Sequence, residues 1–334
     1  MASYETSDGI LAAIARRHGV AAGEVRPLPE GVANRVFLLG EELVLRIPRD
    51  ERFLPDLVKE AAVIPVAVRA GVRTAEVVAF DGAGSEVGVP YMVLTRTRGV
   101  DLARLGPRAP GMAPLLRQVG RELGRLHRLS PPAPPALAAT PPIPPAPPAL
   151  AADQPGLDAA SPSLAAVPVD DGGVDPGALT GRLVEEGWID AEAGRWLGGW
   201  LERLSAHLPE SPPLVLIHGD VAPQNLLVRP ETARLAGIVD WGDAAWADPA
   251  ADFAKMPLDC VPAMLDGYRE GIPAGAPGWE ARVLWFHLAW ALGRLAAPVP
   301  RPGERHWTAP PAGRLLGLLR FFASAPPPPW SDLT

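Results

Sequence analysis

The sequence predicts an α+β chain in two unequal parts: a small β-rich amino-terminal part with one main helix, then a larger, mainly helical remainder. Three observations carry this. Short β-leaning apolar runs dominate the stretch up to residue 98. Apolar residues at steps of three and four dominate after Pro114. A second group of β-runs, between Leu214 and Phe253, interrupts the helical remainder. With 334 residues, 48% of them hydrophobic, the chain can bury a sizeable core.

Taken in order, Gly9 to His18 reads as a short amphipathic helix with Ile10, Leu11 and Ile14 on its apolar side. Val36–Leu39 and Leu43–Ile47 form a hairpin about Gly40-Glu41-Glu42. Leu57 to Val68 is the main helix of this part, and Pro65 is expected to kink it or end it early. Val77–Phe80 and Pro90–Leu94 complete an antiparallel sheet of about five strands. Thr95 to Gly99 then leaves the sheet, with Arg96 and Arg98 read as solvated charges.

Pro114 to Leu129 is a helix whose stripe is Leu115, Leu116, Val119, Leu123 and Leu126. Gly120 and Gly124 beside the stripe imply close packing on a neighbour, and His127 reads as a packing or capping residue. From Pro131 to Pro148 ten of eighteen positions are proline, which excludes a helix or central strand and predicts polyproline-like or disordered chain, a spacer in its simplest reading. The stretch on to Pro176 reads as mobile. Leu179–Glu186 and Ala191–Leu208 are helices, with Trp188, Trp196 and Trp200 read as core. Phe253–Glu270 and Glu280–Leu295 are largely helical. In the second, Val283, Phe286, Trp290 and Gly293 share a face, while Trp285, His287 and Arg294 fall elsewhere, within reach of a pocket. Ala312–Ala323 is a last helix before a loose tail from Pro326.

Chemistry concentrates in LVLIHGDVAPQNLLVRPETARLAGIVDWGDAAWADPAADF, residues 214–253. Leu226-Leu227-Val228 and Gly237-Ile238-Val239 pair as a hairpin, in the simplest register with 228 opposite 237 and 226 opposite 239. Asn225 and Asp240 then face each other one step beyond the ladder, and a tight loop returns Asp220 to the same end. Such an oxygen set suits Mg²⁺, a hard cation held by one or two carboxylates together with substrate phosphates. Phosphoryl transfer needs that metal and a carboxylate to take the proton of the attacking hydroxyl.

The motifs H-G-D-x-x-x-x-N, D-W-G and D-P-x-x-D, carried by His218 to Asn225, Asp240 to Gly242 and Asp248 to Asp252, resemble the aminoglycoside phosphotransferase family. Its members are small-molecule kinases with a protein-kinase-like, two-lobed fold. The resemblance implies that Asp220 is the catalytic base and that Asn225 and Asp240 ligate Mg²⁺. His218 then braces the loop, and Asp248 and Asp252 hold the segment that follows. It further implies a nucleotide-binding lobe over residues 1–98, a hinge at 95–99 and a catalytic, acceptor-binding lobe over 99–334 with the insert at 130–178. Gly31 to Phe37 resembles the family's G-x-x-N-x-x-aromatic phosphate loop, so Gly31 and Asn34 are expected at the phosphates. Arg46, in an L-R-x-P run, stands where protein kinases carry a lysine, and Glu60 is its expected partner. Thr95 and Thr97 belong to the segment that passes the nucleotide base. ATP or GTP is the implied donor, and an antibiotic such as an aminoglycoside, macrolide or nucleoside is the implied acceptor. Kinases of homoserine or choline share these motifs. A catalytically silent nucleotide-binding scaffold is the alternative from another class.

Composition narrows the partners. A net charge of −7 argues against non-specific nucleic-acid binding. No apolar run of about 18 residues exists to span a membrane. Glu5 and Asp8 stand where a secretory leader carries basic residues, and Cys260 alone makes no intrachain disulfide, so a reducing cytoplasm is the expected location. Cys260 sits among Pro257, Leu258 and Val261 and reads as buried.

Overall fold

A computed structural model describes residues 3–28, 32–106, 111–132, 163–170, 175–271, 278–296 and 311–334. Gly31 and residues 133–162 of the Pro-Ala insert lie outside the described residues.

Helix α1 (Asp8–Arg17) starts on Ser7, whose Oγ accepts the Ile10 N–H, and buries Ile14 and Ala15. Strands β1 (Val25–Pro27), β2 (Asn34–Leu39) and β3 (Leu43–Pro48) follow, then helix α2 (Leu54–Arg69) and strands β4 (Val77–Asp81) and β5 (Tyr91–Thr95). They form one antiparallel sheet in the order β1-β2-β3-β5-β4. One face of the sheet packs with α1 around Leu39, Leu45, Ile47 and Val93. The expected stop at Pro65 does not occur. Pro65 lies inside α2, which runs on to Arg69, because the flanking Val63, Ile64 and Ala67 are buried against the rest of the core and packing outweighs the missing N–H.

After residues 96–99, strand β6 (Val100–Asp101) and the short helix α3 (Leu102–Leu105) lead to α4 (Ala113–Leu126). Then come α5 (Pro176–Glu185), α6 (Ala191–Ser205), β7 (Val215–Ile217), the hairpin β8 (Leu226–Arg229) and β9 (Arg234–Ile238), β10 (Ala245–Ala247), α7 (Val261–Arg269), α8 (Trp279–Leu295) and α9 (Pro311–Ala323). The expected apolar stripe of α4 is buried in full. Gly120 accounts for its close packing: a Cβ there would stand 1.9 Å from the Met264 carbonyl oxygen, and one on Gly267 of α7 would stand 2.0 Å from that of Arg117. Helices α4 and α7 cross at these two glycines. The core is continuous from α2 and β5 through α4, α6, α7 and α8.

Several expectations are corrected. Of the helix expected over Phe253–Glu270, only Val261–Arg269 is α-helical, since Pro257 interrupts the run. Residues 163–170, read as mobile, are tied to β10, with the Trp246 N–H on the Pro168 carbonyl (2.9 Å) and the Asp170 N–H on the Trp246 carbonyl (3.0 Å). The tail is not loose: Trp330 is buried against Phe321, and the Trp200 indole donates to the Leu333 carbonyl. Trp200 is core, but Trp188 and Trp196 are 53% and 58% exposed, because each sits off the buried face of the α5–α6 pair. Cys260 is buried, as expected. Among the described residues, no helix is long and apolar enough to cross a membrane.

Candidate active site

The HGD segment is held by a buried carboxylate. Asp252 accepts the His218 N–H (2.9 Å) and the His127 Nε2–H (3.0 Å) on Oδ2, and the Gly219 N–H (2.7 Å) on Oδ1. Burial raises the Asp252 carboxyl, but the His127 hydrogen bond, the two imidazoles and the His218 amide outweigh it and leave the group below its ordinary range. Asp252 was expected to hold the segment after it; its side-chain bonds go instead to the loop before it and to His127. Asp248 does the expected work, accepting the Ala250 N–H (2.8 Å) and the Arg282 guanidinium (2.5 Å). His127 caps α4 and meets the Tyr268 hydroxyl at 3.0 Å, a structural role as read.

Gly219 is required by its backbone. Its φ is +78°, and a Cβ would stand 2.2 Å from the Asp243 carbonyl oxygen. Fully buried His218 is neutral, because burial lowers its pKa. Its Nδ1 must be the acceptor of the Asp220 N–H (3.2 Å), which leaves the proton on Nε2, facing the Val239 carbonyl (3.2 Å). The ring also packs on Trp241, centroids 4.5 Å apart. The imidazole thus joins the HGD loop to the end of β9.

The hairpin is present in a different register. Leu226 pairs with Ile238 and Leu227 with Gly237, and a bulge at Val228 places it opposite Leu235. The simple count fails because a bulge sets two residues against one. Asn225 therefore does not face Asp240 directly: the Val239 N–H bonds the Asn225 carbonyl (3.0 Å), which puts Asp240 one step beyond Asn225's partner, still at the same end of the hairpin. Asp240 turns there with φ +71°, a conformation Asp tolerates better than most residues. The Asn225 amide donates to Asp220 Oδ2 at 2.6 Å and to its carbonyl at 2.9 Å.

Arg46 on β3 reaches both sides of the cleft. It pairs with the buried Glu60 of α2 and, at 2.9 Å, with Asp240 Oδ1. Burial alone would lower Arg46, but Glu60 and Asp240 keep it a guanidinium with a raised pKa. Burial pushes the Glu60 carboxyl up to about 8, against the pull of Arg46. Arg46, Asn34, Thr95, Thr97, Asn225 and Asp240 line one cleft of about 340 Å³, whose apolar walls include Val36, Val44, Leu94 and Leu227. Asn34 Oδ1 and Gln224 Nε2 in this cleft are buried with no partner. Glu60 stands behind Arg46, and Thr95 Oγ1 accepts the Glu76 N–H (2.8 Å). Arg96 and Arg98 are not merely solvated; they pair with Glu41 (3.1 Å) and Glu42 (2.5 Å) of the β2–β3 turn.

Sequence reasoning missed Lys255. Its Nζ lies 2.9 Å from Asp220 Oδ1 and 3.1 Å from Asp243 Oδ2. Burial would lower Lys255, but the two carboxylates outweigh it and raise its pKa, so it is a cation at neutral pH. Only its place just past D-P-x-x-D signalled a role. It missed Trp241 as well, whose indole N–H bonds Thr74 Oγ1 (2.9 Å) and ties the loop to the segment before β4. Among the described residues no group of three or more His, Cys, Asp or Glu can hold a metal by itself. The donors present, the Asp240 carboxylate and the Asn225 amide, suit a hard cation completed by phosphate oxygens.

A small antiparallel sheet, a larger helical part and a cleft with an Arg–Glu pair on one side and a D-x-x-x-x-N, D-W-G hairpin on the other define a two-lobed, kinase-like phosphotransferase fold. The family model of the phosphotransferase enzyme family, APH, matches residues 24–285, and the chain belongs to that family. It is 39% identical over 79 residues to an aminoglycoside 3'-phosphotransferase of Streptomyces fradiae, a match covering 22% of this chain and 30% of that protein. The chain thus spans less than a third of the length of that curated relative. Among solved structures it resembles the GDP complex of wild-type aminoglycoside 2'-phosphotransferase-IIIa, with TM-score 0.58 and 20% identity over 90% of this chain and 93% of that one. It also resembles a macrolide 2'-phosphotransferase from Brachybacterium faecium, with TM-score 0.57 and 21% identity over 86% and 91% of the two chains.

Proposed function

We propose that the protein is a small-molecule kinase that moves the γ-phosphoryl group of ATP or GTP to a hydroxyl of an antibiotic-like acceptor. One observation carries the reading: Asn225 bonds Asp220 through its side chain and the residue before Asp240 through its carbonyl, and Asp240 in turn bonds Arg46 across the cleft. The nucleotide-binding part ends near residue 98, and the chain from 95 to 99 is its hinge. The base lies between the apolar walls beside Thr95 and Thr97, and Asn34 donates its side-chain N–H to a phosphate oxygen. Arg46 neutralises phosphate charge, and Glu60 holds it from behind. Asp240 and Asn225 are the protein ligands for Mg²⁺. When bound, Mg²⁺ draws negative charge off the transferring group. Asp220 orients the acceptor hydroxyl and takes its proton as the hydroxyl oxygen attacks the γ-phosphorus and the bond to the β–γ bridging oxygen breaks, releasing the nucleoside diphosphate, while Lys255 and Asn225 fix the rotation of the Asp220 carboxylate. A cytoplasmic location suits such a donor. The aminoglycoside and macrolide relatives support an antibiotic acceptor.

The test is phosphoryl transfer by the full chain with Mg²⁺ and ATP or GTP, read by mass spectrometry as one added phosphoryl group. Asp220→Ala should abolish the product. Nucleotide binding without transfer to any acceptor, or transfer that survives Asp220→Ala, would overturn the reading.

A further inference from the structure

The second cavity at the catalytic loop has a chemistry of its own. It measures about 840 Å³, is lined by Gly219 and Asp243 on either side of the catalytic hairpin, and shares no residue with the nucleotide cleft. One wall is a helix face: Phe286, Ala289, Trp290 and Gly293 of α8 follow at steps of three, one and three. A broad apolar and aromatic wall of this kind takes the face of a largely hydrocarbon or ring-bearing ligand.

The charges are the informative part. Among its described lining residues are three cations, Arg182, Arg294 and Lys59, the last paired with Asp56 at 3.7 Å, and two carboxylates, Asp170 and Asp243. Asp243 is already held by Lys255 at 3.1 Å, and Asp170 has a partner too. Arg314 lies 4.3 Å over the Trp290 ring and adds positive charge beside the wall. His287, on the same helix, is pushed down to about 3 by burial and by Arg314, and is uncharged. Arg294 Nε is buried without a hydrogen-bond partner, and buried donors are almost always paired. A polyamine would bring its ammonium groups against like charge, with no free carboxylate to receive them.

We infer that the acceptor is a hydroxylated amphiphile without polyamine charge, which lays an apolar face on Phe286 and Trp290 and gives an oxygen acceptor, an ionised acid or a carbonyl, to Arg294. The inference refines the kinase reading and rests on it for the direction of the chemistry, but binding tests it independently.

The probes are an aminoglycoside, a neutral macrolide and a hydroxy acid on an aromatic frame, titrated against the full chain without nucleotide and followed by tryptophan fluorescence. The two amphiphiles should bind at least about tenfold more tightly than the aminoglycoside. Arg294→Gln should weaken the hydroxy acid about ten- to a hundredfold and the neutral compound less, and Arg294→Lys should restore part of the loss. In turnover the same variant should raise the acceptor KM more than it lowers kcat. Tightest binding by the aminoglycoside would overturn the inference, as would affinities that Arg294→Gln leaves unchanged in a protein of normal circular dichroism. Binding in the expected order with no phosphorylated product would sink the kinase reading and keep the pocket. Asp220-dependent phosphorylation of the aminoglycoside alone would do the reverse.

Discussion

Asp252→Asn is the substitution that most directly tests how the catalytic loop is held. Three N–H donors converge on two carboxylate oxygens: those of His218 and His127 on Oδ2, and that of Gly219 on Oδ1. An asparagine keeps one oxygen. In its better orientation it retains the pair at Oδ2 and sets an NH₂ group against the Gly219 N–H, where the present contact is 2.7 Å. A buried donor left unsatisfied costs about 1–3 kcal/mol, and the two surviving bonds each lose about 1 kcal/mol with the charge. The sum, about 3–5 kcal/mol, matches the usual cost of breaking a buried ion pair. It is a large share of a domain's stability. Urea unfolding should show this loss, whereas Asp266→Asn on the surface should stay within about 0.5 kcal/mol. Because the lost bond is made by the residue before Asp220, kcat should fall about a hundredfold with it, as small misplacements of reacting groups do. The pH dependence follows. A carboxyl depressed in the folded state stabilises above its unfolded pKa, about 4, and loses that stability as pH falls through its folded value. The gap between wild type and variant should therefore narrow below about pH 4. A variant within about 1 kcal/mol of wild type at pH 7, with kcat within twofold, would refute the reasoning.

The other predictions concern the cleft and the helix crossing. Lys255→Met removes the cation that fixes the Asp220 carboxylate, and steady-state kinetics should show kcat reduced roughly ten- to a hundredfold with a smaller change in either KM. Arg46→Lys leaves one point charge where a fork now divides between Glu60 and Asp240, so the nucleotide KM should rise about tenfold or more while the acceptor KM moves little. In α4, Gly120→Ala gains about 1 kcal/mol of helix propensity but drives a Cβ into the Met264 carbonyl, a clash between backbones that no rotamer relieves. Overpacking should win by about 2 kcal/mol in chemical denaturation. Gly198→Ala in α6, where an added Cβ meets nothing within 4 Å, should instead stabilise by up to about 1 kcal/mol.

What was legible in the sequence and what was not divide along a physical line. Asp220, Asn225 and Asp240 lie within twenty-one positions on one hairpin, so local spacing alone brings them together. It did so even though the bulge at Val228 shifted the register, because Asn225 and Asp240 sit outside the ladder and only the hairpin's closure matters to them. Arg46 and Glu60 were found through the resemblance of the L-R-x-P run to the family, which places the partner acid on the next helix. Lys255 and Trp241 were missed because their partners are distant or lie across a turn whose path no periodicity records: Thr74 is 167 positions from Trp241. The same limit explains Trp188 and Trp196, whose chemistry says core while their place on the helices says surface.

The acceptor side carries this argument further. Phe286 and Trp290 share one side of α8, while Leu284, His287 and Leu288 are buried on another. A helix that is apolar all round gives the sequence no way to tell the face that meets a ligand from the face that meets the core. Catalytic residues announce themselves by polar spacing because phosphoryl chemistry demands particular oxygens and cations. A wall that binds by shape and hydrocarbon demands only volume, which core positions demand too. Substrate choice in such a fold is therefore written in which apolar face is left open and in the few charges at its rim. Here Arg294 is, among the described residues that line the cavity, the one whose buried donor has no partner, and that donor marks the face as a binding surface.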